Sequence, residues 1–166
     1  AGGDWEYLCE IANIERDSVS LRVLEGRQET RELPVSITLY QGLPKAEKME
    51  LIVQKAVELG AAAIVPVEMH RSVVRLDEKK AAVKQKRWQA IAEAAAKQAG
   101  RSVIPEVSLP LSFKEALRRV EAEGTELRLL PYERAAGMAA TRDLIRSVKA
   151  GQRVAVMIGP EGGFEE

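Results

Sequence analysis

The spacing of hydrophobic positions changes near residue 34. Trp5, Tyr7, Cys9 and Ile11 alternate with Glu6, Leu8, Glu10 and Ala12, and Val19, Leu21 and Val23 alternate with Ser18, Ser20 and Arg22. A period of two places successive side chains on opposite faces of a strand. These runs, joined by Glu15-Arg16-Asp17, therefore predict an antiparallel pair over Trp5–Ile14 and Ser18–Leu24. Two strands alone are marginal in water, so the pair is expected to need partner strands lying before Ala1. The polar, glycine-containing stretch from Glu25 to Glu32 predicts a linker or long turn.

From Pro34 onward strand and helix patterns alternate. Val35 to Tyr40 predicts a strand, and Gln41-Gly42-Leu43-Pro44 a turn. A helix should follow, with Pro44 in its first turn, Gly60 at its end, and Met49, Ile52, Val53, Ala56 and Leu59 on one face. Ala61 to Val67 predicts a buried strand. Asp77 can cap a long helix carrying Trp88, Ile91, Ala92, Ala95, Ala96 and Ala99 on one face, stopped by Gly100. Ser112 and Glu115 have capping-box spacing and predict another helix start. Glu126–Leu130 predicts a strand, Met138–Val148 a helix and Gln152–Ile158 a last strand. Such alternation predicts an α/β fold with a mostly parallel sheet and helices on both faces.

The chain has 166 residues, room for one domain or one and part of another. Lys+Arg and Asp+Glu balance at 25 each, so net charge gives no global case for nucleic acid, although a local basic patch remains open. A single cysteine, Cys9, excludes an intrachain disulfide and a Cys-cluster metal site. It reads as a small buried hydrophobe, consistent with a reducing, cytoplasmic setting. No apolar run approaches a membrane span and no leader pattern opens the chain. With no initiating Met, both ends are expected to be cut from something longer.

Candidate chemistry gathers in four places. The last strand runs into Gly159-Pro160-Glu161-Gly162-Gly163, and glycines there let a ligand approach the main chain closely. Ligands of open α/β sheets bind outside the carboxyl ends of strands, but such a turn can equally be a plain tight turn. It lacks dinucleotide and P-loop spacing, which weighs against a generic nucleotide-binding enzyme. Lys45 and Lys48 lie near a predicted helix start, where a cation gains nothing from the helix dipole; they suit phosphate or a solvated face paired with Glu47 and Glu50. His70 fits a general base or a surface histidine, without a partner at metal spacing. Arg71, Arg75 and Arg101 suit phosphate or base-edge contacts, or surface salt bridges. The run Lys79, Lys80, Lys84, Lys86 and Arg87 reads as a solvated helix side or an RNA-facing stripe. No nucleophile triad or carboxylate pair stands out.

Three segments carry a resemblance: Leu39-Tyr40-Gln41-Gly42-Leu43-Pro44-Lys45 with Lys48-Met49-Glu50, Arg71-Ser72-Val73-Val74, and Ile158-Gly159-Pro160-Glu161-Gly162-Gly163-Phe164. In that order they resemble the ribosomal RNA small-subunit methyltransferase E family, of the SPOUT class, over nearly the whole chain. The resemblance implies S-adenosylmethionine-dependent methylation of uridine N3 in 16S-type ribosomal RNA, free or in an assembled small subunit. It also implies a homodimer acting in the cytoplasm, with no membrane role. The fold implied is part of a PUA-like β-barrel over 1–33, then a SPOUT-like methyltransferase domain over 34–166. The family's C-terminal trefoil-knot segment, which completes the adenine pocket, has no counterpart before Glu166. By resemblance, Leu130, Pro131, Tyr132, Glu133, Ile158, Gly159, Pro160, Glu161, Gly162 and Gly163 bind the cofactor. RNA contacts are expected from Lys45, Lys48, Arg71, Arg75 and Arg101. Arg71 and Arg101 are the candidates to stabilise a uracil anion, with substitutions expected to lower methylation more than stability. The general base is unassigned. A chain ending at Glu166 is expected to be inactive, and the competing reading is a non-catalytic RNA-binding or dimerising module, which would hold RNA without the cofactor.

Overall fold

The computed structural model describes residues 5–28, 32–70, 75–132, 138–161 and 163. Strands β1 (Trp5–Ile14) and β2 (Val19–Gln28) form a separate antiparallel hairpin. The second strand runs through Glu25–Gln28, which the sequence reads as linker. Register shifts after Leu8 and after Ile11 absorb the extra length, and Arg27 pairs with Glu6 at 3.3 Å across the strands. Both faces of the hairpin are open: Tyr7, Leu8, Ile11, Leu21 and Val23 are exposed, so alternation here marks strand geometry without marking a core.

Among the described residues the second unit is a six-stranded sheet in which every pairing is parallel. It comprises β3 (Ser36–Gly42), β4 (Ala63–Glu68), β5 (Glu106–Val107), β6 (Leu111–Ser112), β7 (Leu127–Leu129) and β8 (Arg153–Ile158), in the order β5-β4-β3-β8-β7, with β6 also on β4. The first and last long strands pair directly, from Ser36–Arg153 to Gln41–Ile158. Period-two alternation divides the core between the two faces. Ile64 and Leu39 face a cluster with Met49, Val53 and Val57 of α1 (Lys48–Glu58) and Trp88, Ala92, Ala95 and Ala96 of α2 (Glu78–Gln98). Tyr40, Val65, Val67, Ala155 and Met157 face Ala116 and Val120 of α3 (Phe113–Ala122). Helices thus cover both faces, as the alternation predicts. On α4 (Met138–Arg146) Leu144 and Ile145 stand exposed.

Local signals explain several helix boundaries. Asp77 caps α2 by accepting from the Lys80 backbone N–H at 2.8 Å. Ser112 and Glu115 form the predicted reciprocal capping box. Gly60, at φ 97°, ends α1 in the left-handed region. Pro44 does not open α1, because Ala46 sits at φ 55° and delays the helix to Lys48. The buried face of α1 then reads Met49, Val53 and Val57, and Leu59 is exposed. Pro66 lies inside β4 between the β5 pairing, which ends at Ile64, and the β6 pairing, which starts at Val67. Its missing N–H therefore falls where no edge strand is paired. On the outer edge of β5, the Gln89 amide accepts from the Val107 N–H and the Gln85 amide donates to the Val107 carbonyl, both at 2.8 Å. Two helix glutamines thus occupy backbone groups that an edge strand would otherwise present for pairing.

Candidate functional site

The chain builds the sheet outward from β3 through β4 to β5, then returns on the other side with β7 and β8. The order reverses between β3 and β8, and their carboxyl ends form the switch point at which ligands of open α/β sheets bind. Two turns meet there. Gly42, ending β3, packs so closely on the turn after β8 that a Cβ on it would lie 2.7 Å from Pro160 N and 2.8 Å from Pro160 Cδ. The turn after β8 is closed by the Gly163 N–H donating to the Pro160 carbonyl at 2.8 Å, with Gly163 at φ 69°. Because β7 runs parallel to β8, with Leu129 opposite Val156, the segment Leu130-Pro131-Tyr132 emerges beside this turn. Leu130 is 54% exposed there, an apolar side chain open to solvent at a sheet end.

Glu161 ties the turns together. Its carboxylate accepts from the Lys45 backbone N–H at 3.1 Å (Oε1) and 3.2 Å (Oε2), and from Lys48 Nζ at 2.8 Å. The Lys48 hydrogen bond, then the Glu161 and Lys45 backbone N–H groups, lower its pKa to about 2. The carboxylate is therefore ionised throughout the neutral range. Lys48, expected to reach RNA, is thus engaged by an anion of its own chain, while the Lys45 side chain is exposed. The Gln41 side chain, buried beside them, donates to the Gly42 carbonyl at 3.0 Å.

Other candidates lie around the same sheet end or away from it. His70 is exposed just past β4. Arg75 is exposed, next to Leu76, whose N–H donates to the Glu68 carboxylate at 3.2 Å. Arg71, Glu133 and Gly162 lie outside the described residues. Along α2, Lys80 pairs with Asp77 at 3.0 Å and Arg87 with Glu50 at 2.8 Å.

Arg101 requires a correction. It is not an outward-facing cation: its side chain is 6% exposed. Its Nη1 donates to the carbonyls of Val57 at 3.1 Å and Ala61 at 2.6 Å. Its Nε donates to Glu32 at 3.1 Å, and Nη2 also bonds that carboxylate. Burial alone would raise the Glu32 carboxyl, but the hydrogen bonds from Arg101 and the Val103 N–H hold it below its ordinary value. The guanidinium pins residue 32 to the turn after α1, which is a structural task. Nothing in the local pattern around Glu32 marks it as a partner, because the two residues are 69 positions apart. Among the described residues no group of three or more His, Cys, Asp or Glu could hold a metal ion, and no helix is long and apolar enough to cross a membrane.

A sheet with a glycine turn at its switch point, built from these segments, defines a class: the chain belongs to the RNA methyltransferase domain family, whose profile matches residues 31–166. Within that class its likeness is to proteins named ribosomal RNA small subunit methyltransferase E. The Bacillus subtilis protein of that name is 38% identical over 98% of this chain and 64% of its own length. A crystal structure of a hypothetical protein superposes with a TM-score of 0.90 at 39% identity, covering 98% of this chain and 64% of that one. The ribosomal RNA small subunit methyltransferase E of Neisseria gonorrhoeae, solved bound to S-adenosylmethionine, gives a TM-score of 0.76 at 31% identity, over 99% of this chain and 65% of that one. The chain thus spans less than two thirds of the length of these relatives.

Proposed function

We propose that this protein methylates N3 of a uridine in small-subunit ribosomal RNA, using S-adenosylmethionine. The observation that carries the reading is that the 130–132 and 158–161 backbone leaves the adjacent strands β7 and β8 at the carboxyl end of the sheet, beside the β3/β8 switch point, in a chain of the RNA methyltransferase family. An open leucine beside the backbone of a glycine turn suits an adenosyl group, which needs an apolar wall and a few fixed polar atoms. The cofactor, when bound, supplies an electrophilic methyl group. Leu130, Pro131, Tyr132, Ile158, Gly159 and Pro160 would hold it, together with Glu133 and Gly162. Displacement at a methyl carbon is in-line, so the walls act chiefly by orientation. The uridine must lose its N3 proton, and the developing uracil anion needs a nearby positive charge. With Arg101 committed to structure, that role in the proposal falls to Arg71, and Lys45 and Arg75 are left as the RNA contacts. The target base must be exposed or flipped to reach the site.

The same reading takes residues 1–33 as part of a PUA-like RNA-binding barrel, residues 34–166 as SPOUT domain, and the working protein as a cytoplasmic homodimer whose remaining pocket wall comes from a knot segment. A polypeptide ending at Glu166 is then expected to bind the cofactor poorly and to lack activity. Calorimetric titration of S-adenosylmethionine into that polypeptide and into the full-length protein, beside methyl transfer to small-subunit ribosomal RNA, tests this. The full-length protein should bind and yield N3-methyluridine. RNA binding without cofactor binding would overturn the reading in favour of a non-catalytic module.

A further inference from the structure

We infer that Glu161 is a positioning residue that latches the cofactor-binding turn onto the β3–α1 connection, with Lys48 as its counter-charge; the inference rests on the methyltransferase reading above. Three contacts between the turns support it, and all fall on Gly42–Lys48 opposite Gly159–Glu161. Gly42 lies against Pro160 at a distance no side chain would allow. The Lys45 N–H and the Lys48 ammonium both donate to the one carboxylate. Glu161 follows Pro160 in the turn closed by the Pro160–Gly163 hydrogen bond, so fixing its side chain also restrains Gly159 and Gly163.

A glycine turn is intrinsically free in conformation, which is useful for close approach but unfavourable for holding one shape. Ordering such a turn on binding lowers affinity, and a latch made before the ligand arrives removes part of that cost. Lys48, the first residue of α1, is thereby less available to RNA: an ammonium already paired with a carboxylate adds little to phosphate binding. The ion pair is partly exposed, so its effect should come through loop geometry rather than overall stability.

The test uses the full-length protein with Glu161→Ala, Glu161→Gln, Lys48→Met, and the exchange Glu161→Lys with Lys48→Glu. Cofactor affinity is read by calorimetry, and KM for cofactor and for RNA by steady-state assay, with melting temperature as a folding control. Glu161→Ala should weaken cofactor binding by about tenfold at unchanged melting temperature and RNA KM. Lys48→Met should act in the same direction and add little to Glu161→Ala, Glu161→Gln should fall between, and the exchange should recover part of the affinity. Unchanged cofactor affinity in Glu161→Ala would overturn the latch alone. So would a Lys48→Met that raises only the RNA KM and lowers its salt dependence, since that is how a phosphate contact behaves. A wild-type protein that binds no S-adenosylmethionine would instead overturn the methyltransferase reading, and the latch with it.

Discussion

Replacing Arg101 by alanine should destabilise the fold severely. The guanidinium is almost wholly buried and satisfies the carbonyls of Val57 and Ala61 as well as the Glu32 carboxylate. Hydrogen bonds to charged groups each contribute about 1.5–3 kcal/mol, but these share one side chain and do not add. Breaking a buried ion pair from one side costs about 3–5 kcal/mol, because the surviving charge stays desolvated. Glu32 keeps 20% of its side-chain surface and can be partly rehydrated, which points to the lower end, about 3 kcal/mol. Against the 5–15 kcal/mol typical of a domain, that is a large share of the total.

Urea unfolding reads this as a lowered midpoint at unchanged slope. Glu32→Gln removes the stranded charge, so the double variant should lose less than the sum of the single ones. The linkage gives an independent check. The folded-state pKa of Glu32 is depressed, so its contribution is present above the unfolded carboxyl value and is lost as pH falls through the lower folded one. Arg101→Ala should flatten that acid limb. A loss below about 0.5 kcal/mol, the range of ordinary surface changes, or strict additivity with Glu32→Gln, would refute the buried clamp.

Two more outcomes are expected. Gly42→Ala places a methyl group 2.7 Å from a backbone nitrogen that cannot yield cheaply, so it should cost about 1–3 kcal/mol and displace the turn after β8; urea unfolding and cofactor titration check both, and an alanine without effect on either would remove the close approach. Burial first and the Glu123 carboxylate second push the Tyr40 phenol up to about 12, so its contribution is complete below the ordinary value of about 10 and lost as pH rises through the folded one. Tyr40→Phe should therefore abolish an alkaline drop in melting temperature between those limits; a drop of equal size in the variant would assign it to other groups.

Elements were legible in the sequence where a local signal coincided with a burial pattern. The cap at Asp77, the box at Ser112 and Glu115, and the apolar run into Gly159 each combine short-range chemistry with a side that must be covered. Errors fall where one signal stood alone. Pro44 suits a first helical turn but does not enforce one, and Ala46 takes the left-handed conformation instead. Glu25–Gln28 is polar and still extends β2, because both faces of that hairpin meet solvent and polarity carries no information there. Strands β5 and β6 have two residues each, too short for any periodicity to show.

The site was legible as loops but not as charges. Backbone chemistry at the ends of β3 and β8 follows from glycine and proline in the local sequence, which is why the turns could be named without knowing that they touch. The cations could not be assigned in the same way. Lys48 meets Glu161 across 113 positions and Arg101 meets Glu32 across 69. Each lysine or arginine taken alone looks available to phosphate, since the local string shows its charge and not the anion that the fold brings to it. A cation becomes a credible RNA contact only after its intramolecular acceptors are counted. By that criterion the Lys48 ammonium is already engaged by Glu161 and the Arg101 guanidinium is buried on Glu32, whereas Lys45 and Arg75 have exposed side chains, which is why those two remain the proposed RNA contacts.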